Sequence, residues 1–390
     1  MKIVAGLGSI EEYEPFVKAG ADEFFCGYVP FSWAEKYGVI HPLNRREVLF
    51  YNVQIGSMSE LQILKKMVDY YGKPVKLTFN SLYYTGEQYP VIAEIITQCM
   101  AAGFENFIIA DPALMLYLRQ QKINCGIHLS GETAEVNMGM LEQMLPFGIR
   151  RVIFHRKNSL EDMHNCIAFV DGRRNKFRTE ASKLKFLNKE VCHSDAGIYG
   201  RKEADFPDEY EAFILNELCH FSGAFCNSLH CDELTHLCRV PYELGDAVEI
   251  RENSNNIKQM RESIFSEEKA ESQFLRKNVE TVETQDSYDK MNCLTDAAIT
   301  SNQQNLYDEE GYLTGSTGCG LCALYRMKQT GITHLKLVGR GNYTDFMEKD
   351  IRQLRKALDI LEKCESEAQY QKEMKASLFP DGCSQNCYYR

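Results

Sequence analysis

The chain has 390 residues and a net charge of −11, with 44% hydrophobic and 25% charged residues. This composition is typical of a globular protein with a sizeable core. The acidic balance argues against a general nucleic-acid binder, which needs a basic face to replace the counterions of the phosphates. A local basic contact through 171-GRRNKFRTEASKLK-184 is the one exception that we consider.

The first residues do not resemble a signal peptide, because MKIVAGLGSIEEY lacks a long apolar stretch and turns acidic within a dozen residues. No apolar run approaches the roughly 20 residues that a membrane-spanning helix needs. We therefore expect a cytoplasmic protein with no membrane contact. Thiols stay reduced in that compartment, so clustered cysteines favour metal ligands or catalysts over disulfides.

Short β-rich runs alternate with helical patterns along the chain. The predicted strands are 2–7, 22–29, 75–80, 105–111, 124–130, 150–155, 211–218 and 333–339. Helical spacing of apolar residues is clearest in 59–72, 86–103 and 159–170. Eight strands alternating with helices predict a TIM-like (β/α)8 barrel, with a doubly wound open sheet as the alternative. Both folds place the active site at the C-terminal ends of the strands.

Two polar stretches, about 171–207 and 245–312, interrupt the alternation and are predicted to be insertions in a barrel domain that spans residues 1–341. Residues 342–390 are predicted to form a C-terminal helix, with helical spacing over 343–376, and a short tail. The tail carries Cys383 and Cys387. These cysteines could cap a metal centre, bind a second metal or have no role.

The segment 219-CHFSGAFCNSLHCDELTHLC-238 concentrates cysteine and histidine. Its cysteines are Cys219, Cys226, Cys231 and Cys238, and 315-GSTGCGLCALY-325 adds Cys319 and Cys322. Thiolates hold zinc or iron–sulfur clusters. Zinc sites prefer closely spaced cysteine pairs; Cys319 and Cys322 have that spacing, whereas Cys219, Cys226 and Cys238 are further apart. Spacing therefore favours an iron–sulfur cluster, with zinc and unrelated buried thiols as alternatives.

The same residues resemble the signature of the U32 peptidase family, the collagenase-like proteases. The stretch 217-ELCHFSGAFC-226 is similar to the family pattern E-x-F-x-H-G-x-x-C, and 238-CRVPY-242 to C-R-x-x-Y. Further similar stretches follow in the family order: 19-AGADEFFCG-27, 75-VKLTFN-80, 103-GFENFIIADPALM-115, 127-IHLSGETAEVN-137, 148-GIRRVIFHR-156 and 331-GITHLKLVGR-340. The resemblance covers about residues 1–160 and 211–341.

This resemblance implies a barrel and, as in several members, a [4Fe–4S] cluster on four cysteines. The implied ligands are Cys219, Cys226, Cys238 and Cys319, with Cys322 as the alternative fourth ligand. The implied activity is oxygen-independent hydroxylation, for which prephenate is the oxygen donor in some members. The chain departs from the family at Glu132, Lys157, Ser222 and Val338, which favours a different substrate.

Polar residues at the predicted strand ends are candidates for substrate or cofactor contact. His128 and Ser130 end the fifth strand, Asn80 ends the third, and Asn137 lies a little further along. The structural alternatives are a hydrogen-bonded core histidine for His128 and a turn or helix cap for Asn80.

Charged residues at strand ends complete the candidate site. Arg156 and Arg340 each close a strand, and the planar guanidinium suits carboxylates, so they are candidate clamps for a dicarboxylate donor. Structural ion pairs are the alternative. Glu217 lies two residues before Cys219 and could serve as a general base or support the cluster.

The leading hypothesis is therefore an iron–sulfur enzyme that hydroxylates, or transfers oxygen to, a small molecule or a peptide. A peptidase that uses zinc or a thiol is the second hypothesis, although the sequence has no G-x-S-x-G or HExxH motif. The third is a non-catalytic subunit that works with a protein partner.

Overall fold

The computed structural model describes residues 1–38, 41–44, 54–186, 206–216, 306–340 and 342–389. Contacts between Cα atoms divide the chain into two compact units, one of residues 1–239 and 309–390 and the other of residues 240–308. The second unit lies almost entirely outside the described residues, as does most of the predicted insertion 245–312. The structure below is that of the first unit.

Eight parallel strands close into a barrel in sequence order, with the last strand paired to the first. They are β1 (Lys2–Leu7), β2 (Glu23–Gly27), β3 (Val75–Phe79), β4 (Asn106–Ile109), β5 (Gly126–Leu129), β6 (Ile149–Ile153), β7 (Glu209–Leu215) and β8 (His334–Leu337). Each lies within or beside a predicted strand. The TIM-like (β/α)8 barrel is therefore confirmed.

Helices surround the strands. They are α1 (Tyr13–Ala19), α2 (Phe31–Tyr37), α3 (Met58–Tyr71), α4 (Gln88–Ala101), α5 (Pro112–Gln120), α6 (Met138–Met144), α7 (Leu160–Phe186), α8 (Leu324–Thr330), α9 (Thr344–Leu361) and α10 (Glu367–Leu378). The clearest start is that of α3, where Ser57 and Glu60 form a capping box. None of the described helices is long and apolar enough to cross a membrane.

Two helical regions differ from the sequence prediction. The helix predicted over 159–170 continues as α7 to Phe186, so the first part of the predicted insertion 171–207 extends that helix. The C-terminal region predicted as one helix forms two, α9 and α10. A new helix begins there because the Ser366 side chain accepts a hydrogen bond from the Gln369 backbone N–H, which is an N-cap.

The inside of the barrel has an apolar layer and a charged layer. The apolar layer consists of Val4, Phe25, Ile108, Ile153, Phe213 and Val338. Two residues earlier on four of these strands stand Glu23, Arg151, Glu211 and Lys336. Because side chains two apart share a face of a strand, the charged layer lies inside the barrel, nearer the N-terminal ends. Barrels of this type are more often filled by branched apolar side chains.

Arg151 is the centre of the charged layer and is only 1% exposed. Its Nη1 donates to Glu211 Oε2 at 2.7 Å, and its Nη2 donates to Glu23 Oε2 at 2.7 Å. Its Nε donates to Glu209 Oε2 at 2.8 Å. Burial would raise the pKa of Glu23, but the nearby His334 and Arg151 hold it far below its usual range. The guanidinium thus ties β6 to β2 and β7 across the barrel.

Replacing Arg151 with Met should reduce the free energy of unfolding by about 3–5 kcal/mol, because it leaves buried carboxylates without their partner. Urea denaturation measures this change. The control is Arg352→Met, which removes an exposed ion pair with Glu348 on α9 and should cost less than about 1 kcal/mol. Equal effects of the two substitutions would contradict a structural role for the charged layer.

Candidate functional site

A cavity opens at the C-terminal ends of the strands, above the apolar layer. Its empty volume, which includes space open to solvent, is about 570 Å³. Polar residues at or just beyond the strand ends line it together with apolar side chains from within the barrel. The lining residues are Phe25, Thr78, Asn80, Ile108, Ser130, Gly131, Glu132, Ile153, Arg156, Phe213, Lys336, Val338, Gly339 and Arg340.

Arg156 lies at one side of this cavity. Its Nη1 donates to Glu132 Oε1 at 2.9 Å, and its guanidinium lies 4.1 Å from the centre of the Phe213 ring. Glu132 is one of the positions where the sequence departs from the family pattern. Its carboxylate therefore balances part of the charge of Arg156 and fixes the orientation of the guanidinium.

Arg340 lies at the end of β8 and is held differently. Its Nη1 donates to Gln54 Oε1 at 2.8 Å and more distantly to Asn44 Oδ1 at 3.4 Å. These two contacts orient the guanidinium. Arg340 also lines the cavity.

Lys336 connects the cavity to the charged layer below it. Its Nζ donates to Glu211 Oε1 at 2.8 Å and lies 3.5 Å from the centre of the Phe25 ring. Burial lowers the pKa of Lys336, and Glu211 opposes that shift. Burial would raise the pKa of Glu211, but Lys336 and Arg151 keep it below its usual range. The pair therefore remains an ion pair at the bottom of the cavity.

Two buried polar atoms inside the barrel have no hydrogen-bond partner among the described residues. They are Thr78 Oγ1, which lines the cavity, and His128 Nδ1. Burial lowers the pKa of His128 well below 6.5, and the neighbouring Arg151 and Lys76 lower it further, so its imidazole is neutral at pH 7. Buried polar atoms are usually paired, so Thr78 Oγ1, which lines the cavity, is a candidate for contact with a bound polar molecule.

The cavity brings together four of the predicted site residues: Asn80, Ser130, Arg156 and Arg340. His128 is buried inside the barrel and is not among the lining residues. Asn137 is exposed and forms the N-cap of α6, accepting a hydrogen bond from the Met140 backbone N–H at 2.9 Å. Its side chain is therefore used by the helix and does not line the cavity.

Four residues that line the cavity were not predicted from the sequence: Phe25, Thr78, Phe213 and Lys336. All four alternate with outward-facing residues along their strands, so the period-two pattern was a usable signal. The buried lysine in a β-rich run was the strongest unused indication, because lysine is rarely buried without a partner.

Most of the predicted cluster ligands lie outside the described residues: Cys219, Cys226 and Cys238, together with the neighbouring Glu217. Cys319 and Cys322 are described. Cys319 forms an antiparallel bridge with Leu215, the last residue of β7, so the fourth predicted ligand lies at the C-terminal end of the barrel. Burial raises the pKa of Cys319 to about 12. A metal that binds a thiolate displaces its proton, so this thiol would gain its charge only together with a metal.

A second group of potential metal ligands lies at the opposite, N-terminal end of the barrel. The nearest ligand atoms of Glu23, Glu209 and His334 are all within 4.8 Å of one another, a spacing that could hold a metal ion. Arg151 Nη2, however, lies 2.7 Å from both carboxylates and 2.9 Å from His334 Nε2. The guanidinium therefore already occupies the position that a cation would take.

The exit of β7, from which the cysteine segment starts, is fixed by a buried hydrogen bond. Asn216 has a left-handed backbone (φ 66°), and its Nδ2 donates to Asp350 Oδ2 at 2.6 Å. The Tyr312 hydroxyl donates to the other oxygen at 2.8 Å. Burial raises the pKa of Asp350 to about 6, although both hydrogen bonds act to lower it.

Residues 8–181 match the model of Peptidase family U32. This match begins just after β1 and ends within α7, and it supports the family resemblance found in the sequence. No curated protein sequence matches the chain. The structure of the U32 peptidase Mk0906 is similar over 56% of this chain and 94% of that chain, with 13% identity and a TM-score of 0.33. A 2,3-dimethylmalate lyase of the PEP mutase/isocitrate lyase superfamily is similar over 77% and 94%, with 12% identity and a TM-score of 0.29.

Replacing Asp350 with Asn should remove a pH dependence of stability. Because the pKa of Asp350 rises from 3.8 to about 6 on folding, its contribution is fully present below pH 4 and is lost as the pH rises through 6. The wild-type free energy of unfolding should therefore fall by roughly 3 kcal/mol more than that of the variant between pH 4 and pH 7. Urea denaturation at both pH values measures the difference.

The matched control is Asp359→Asn, an exposed position on the same helix, and it should follow the wild type. If Asp350→Asn also keeps the wild-type pH profile, Asp350 does not carry this titration.

Proposed function

We propose that this protein is an iron–sulfur enzyme of the Peptidase U32 family that carries out oxygen-independent hydroxylation, or a related oxygen transfer, on a small molecule or a peptide. The observation that carries the proposal is the position of Cys319. It pairs with the end of β7, at the same end of the barrel as a cavity lined by Arg156, Lys336 and Arg340. The Cys319 thiol and the cavity with its basic side chains thus lie at the same end of the barrel.

The cavity supports an anionic ligand with an apolar body. Two guanidinium groups line the cavity: Arg340 is oriented by the Gln54 amide and Arg156 by the Glu132 carboxylate. Phe25 and Phe213 also line the cavity and contribute flat apolar surface to it. A dicarboxylate such as prephenate combines these properties, and we propose that class as the oxygen donor.

The proposed cluster ligands are Cys219, Cys226, Cys238 and Cys319, with Cys322 as the alternative fourth. The sequence separation supports this set, because Cys219 follows Asn216 by only three residues, a reach of roughly 10 Å. The Asn216 backbone N–H in turn donates to Gly318 O at 2.9 Å, next to Cys319. When bound, a [4Fe–4S] cluster would supply electron transfer or an iron that polarises an oxygen-bearing group.

The residues of this chain would bind and orient the reactants. Arg340 and Arg156 would hold the carboxylates of the donor, while Asn80 and Ser130 would hydrogen-bond its polar groups. Thr78 Oγ1, which lacks a partner among the described residues, would receive or donate a hydrogen bond at the bottom of the cavity. The apolar layer beneath would exclude water from the reacting groups. Glu217, outside the described residues, is proposed as a general base or as support for the cluster.

A peptidase is the second candidate, and the family match is the observation that favours it. Such an activity would require zinc in place of iron, or a cysteine nucleophile next to a histidine such as His220, His230 or His236. Metal content separates the two candidates.

Protein purified without oxygen should contain about four irons and four sulfides per chain, with an absorption band near 400 nm that dithionite bleaches. Cys226→Ser should lose this iron because it removes a proposed ligand. Cys364→Ser, which changes a cysteine outside the proposed ligand set, should retain it. A protein that carries zinc, or no metal, would overturn the iron–sulfur proposal and favour the peptidase.

Replacing Arg340 with Gln should weaken the binding of prephenate about ten- to hundredfold, because a charge-assisted hydrogen bond is lost. Isothermal titration calorimetry under anaerobic conditions measures the dissociation constant. The exposed Arg352→Gln is the control and should bind as the wild type does. Equal affinities in all three proteins would place the dicarboxylate elsewhere or exclude it as a ligand.

A further inference from the structure

The C-terminal tail, residues 379–389, packs beside the open end of the barrel. The Cys319 backbone N–H donates to Asn386 O at 2.7 Å, and the Tyr388 N–H donates to Cys319 O at 2.9 Å. Cys319 and Cys387 are therefore paired as neighbours in a short parallel bridge. Since Leu215 pairs with Cys319 on its other side, the loop 315–320 lies between the end of β7 and the tail.

Side chains fix the tail at several points. The buried Tyr389 hydroxyl donates to Phe213 O at 2.7 Å, the Ser384 hydroxyl donates to Gly315 O at 2.7 Å, and the Tyr388 hydroxyl donates to Asn216 O. Gly320 permits this approach, since a Cβ there would lie 3.1 Å from the Tyr389 ring. Chain ends usually have few such contacts, so this tail has a defined position.

Tyr388 also connects the tail to the cavity. It packs against the inner apolar layer that forms the bottom of the cavity. The tail thus lies next to both the proposed substrate pocket and the loop with Cys319.

This packing brings four cysteines together: Cys319 and Cys322 from the loop, and Cys383 and Cys387 from the tail. None of the four is in a disulfide, and all are partly exposed. Cys319 and Cys387 are bridge partners, and Cys322 and Cys383 lie three and four residues away from them along the chain.

We propose that Cys322, Cys383 and Cys387 form, beside Cys319, a thiolate site for a soft divalent metal ion of the zinc class. The C-x2-C and C-x3-C spacings are those of thiolate metal sites, and each pair comes from a segment with a fixed backbone. Thiolates select soft metals over magnesium or calcium. The metal would fasten the tail at the barrel mouth.

Binding of one ion requires the sulfur atoms to move closer together. Among the described residues, three of these sulfur atoms do not all lie within 4.8 Å of one another. Each sulfur moves by rotation about a single bond, and partial exposure leaves room for it. Gly315 contributes space as well, since a Cβ at this position would lie only 2.6 Å from Cys319 Cβ.

This site goes beyond the proposed function, which uses only one cysteine of the four. It is tested in full-length protein that also carries Cys219→Ser, Cys226→Ser and Cys238→Ser, so that the proposed cluster cannot form. Cobalt(II) is the probe, titrated without oxygen, because its visible bands report tetrahedral geometry and its charge-transfer absorption reports thiolate ligands. The background protein should bind about one cobalt per chain with both signals.

Adding Cys383→Ser and Cys387→Ser should abolish the thiolate absorption, whereas adding Cys364→Ser should leave it unchanged. Thermal unfolding checks that the variants remain folded. If the double variant does not fold, Cys383→Ser alone is used, and it should weaken cobalt binding at least tenfold. Thiolate absorption that survives in the tail variants, or no cobalt binding in the background protein, would overturn the proposal.

The two proposals can fail separately. Cobalt bound through the tail cysteines in a protein whose wild type contains no iron would refute the cluster and retain this site. The double variant Cys383→Ser, Cys387→Ser is also made in the otherwise wild-type chain. If that variant loses its iron, the tail cysteines belong to the cluster, which contradicts a separate site.

Discussion

The rest of the structure depends on the ion pairs of Arg151 inside the barrel. An arginine with three carboxylate partners fills the part of the interior where branched apolar side chains usually pack. Buried ion pairs of this kind contribute little net stability compared with an apolar core, but they penalise any arrangement that separates the charges. The pairing therefore connects β2, β6 and β7 in addition to packing.

The charged layer also determines the chemistry of the cavity. Glu211 receives hydrogen bonds from both Arg151 and Lys336, and Lys336 reaches the bottom of the cavity. The Lys336 ammonium group is held among apolar side chains because its carboxylate partner, Glu211, is fixed from below by Arg151. Arg156 and Arg340 also line the cavity, which therefore holds three basic side chains in a protein whose net charge is −11. A small anion is the ligand that we propose for this cavity, and the negative net charge disfavours large polyanions.

The sequence was sufficient to predict the barrel, because eight β-rich runs with intervening helical patterns leave few other folds. It also placed Asn80, Ser130, Arg156 and Arg340 at strand ends, which meet at one face of a barrel, and these residues line the cavity. Lys336 and its partner Glu211 could not be paired from sequence, because they lie on different strands and pair only when the barrel closes. Asn137 was assigned to the mouth by its position, but helix capping uses its side chain. The break between α9 and α10 arises from the N-cap at Ser366, and the apolar spacing of the region gave no indication of it.

The central claim is that a cluster and a pocket for a small anion share the open end of the barrel. The most direct measurement is the low-temperature electron paramagnetic resonance spectrum of dithionite-reduced protein, prepared without oxygen and recorded with and without prephenate. The account predicts the signal of a reduced cubane cluster, and a change in that signal when the dicarboxylate binds nearby. The absence of any cluster signal from intact, folded protein would contradict it.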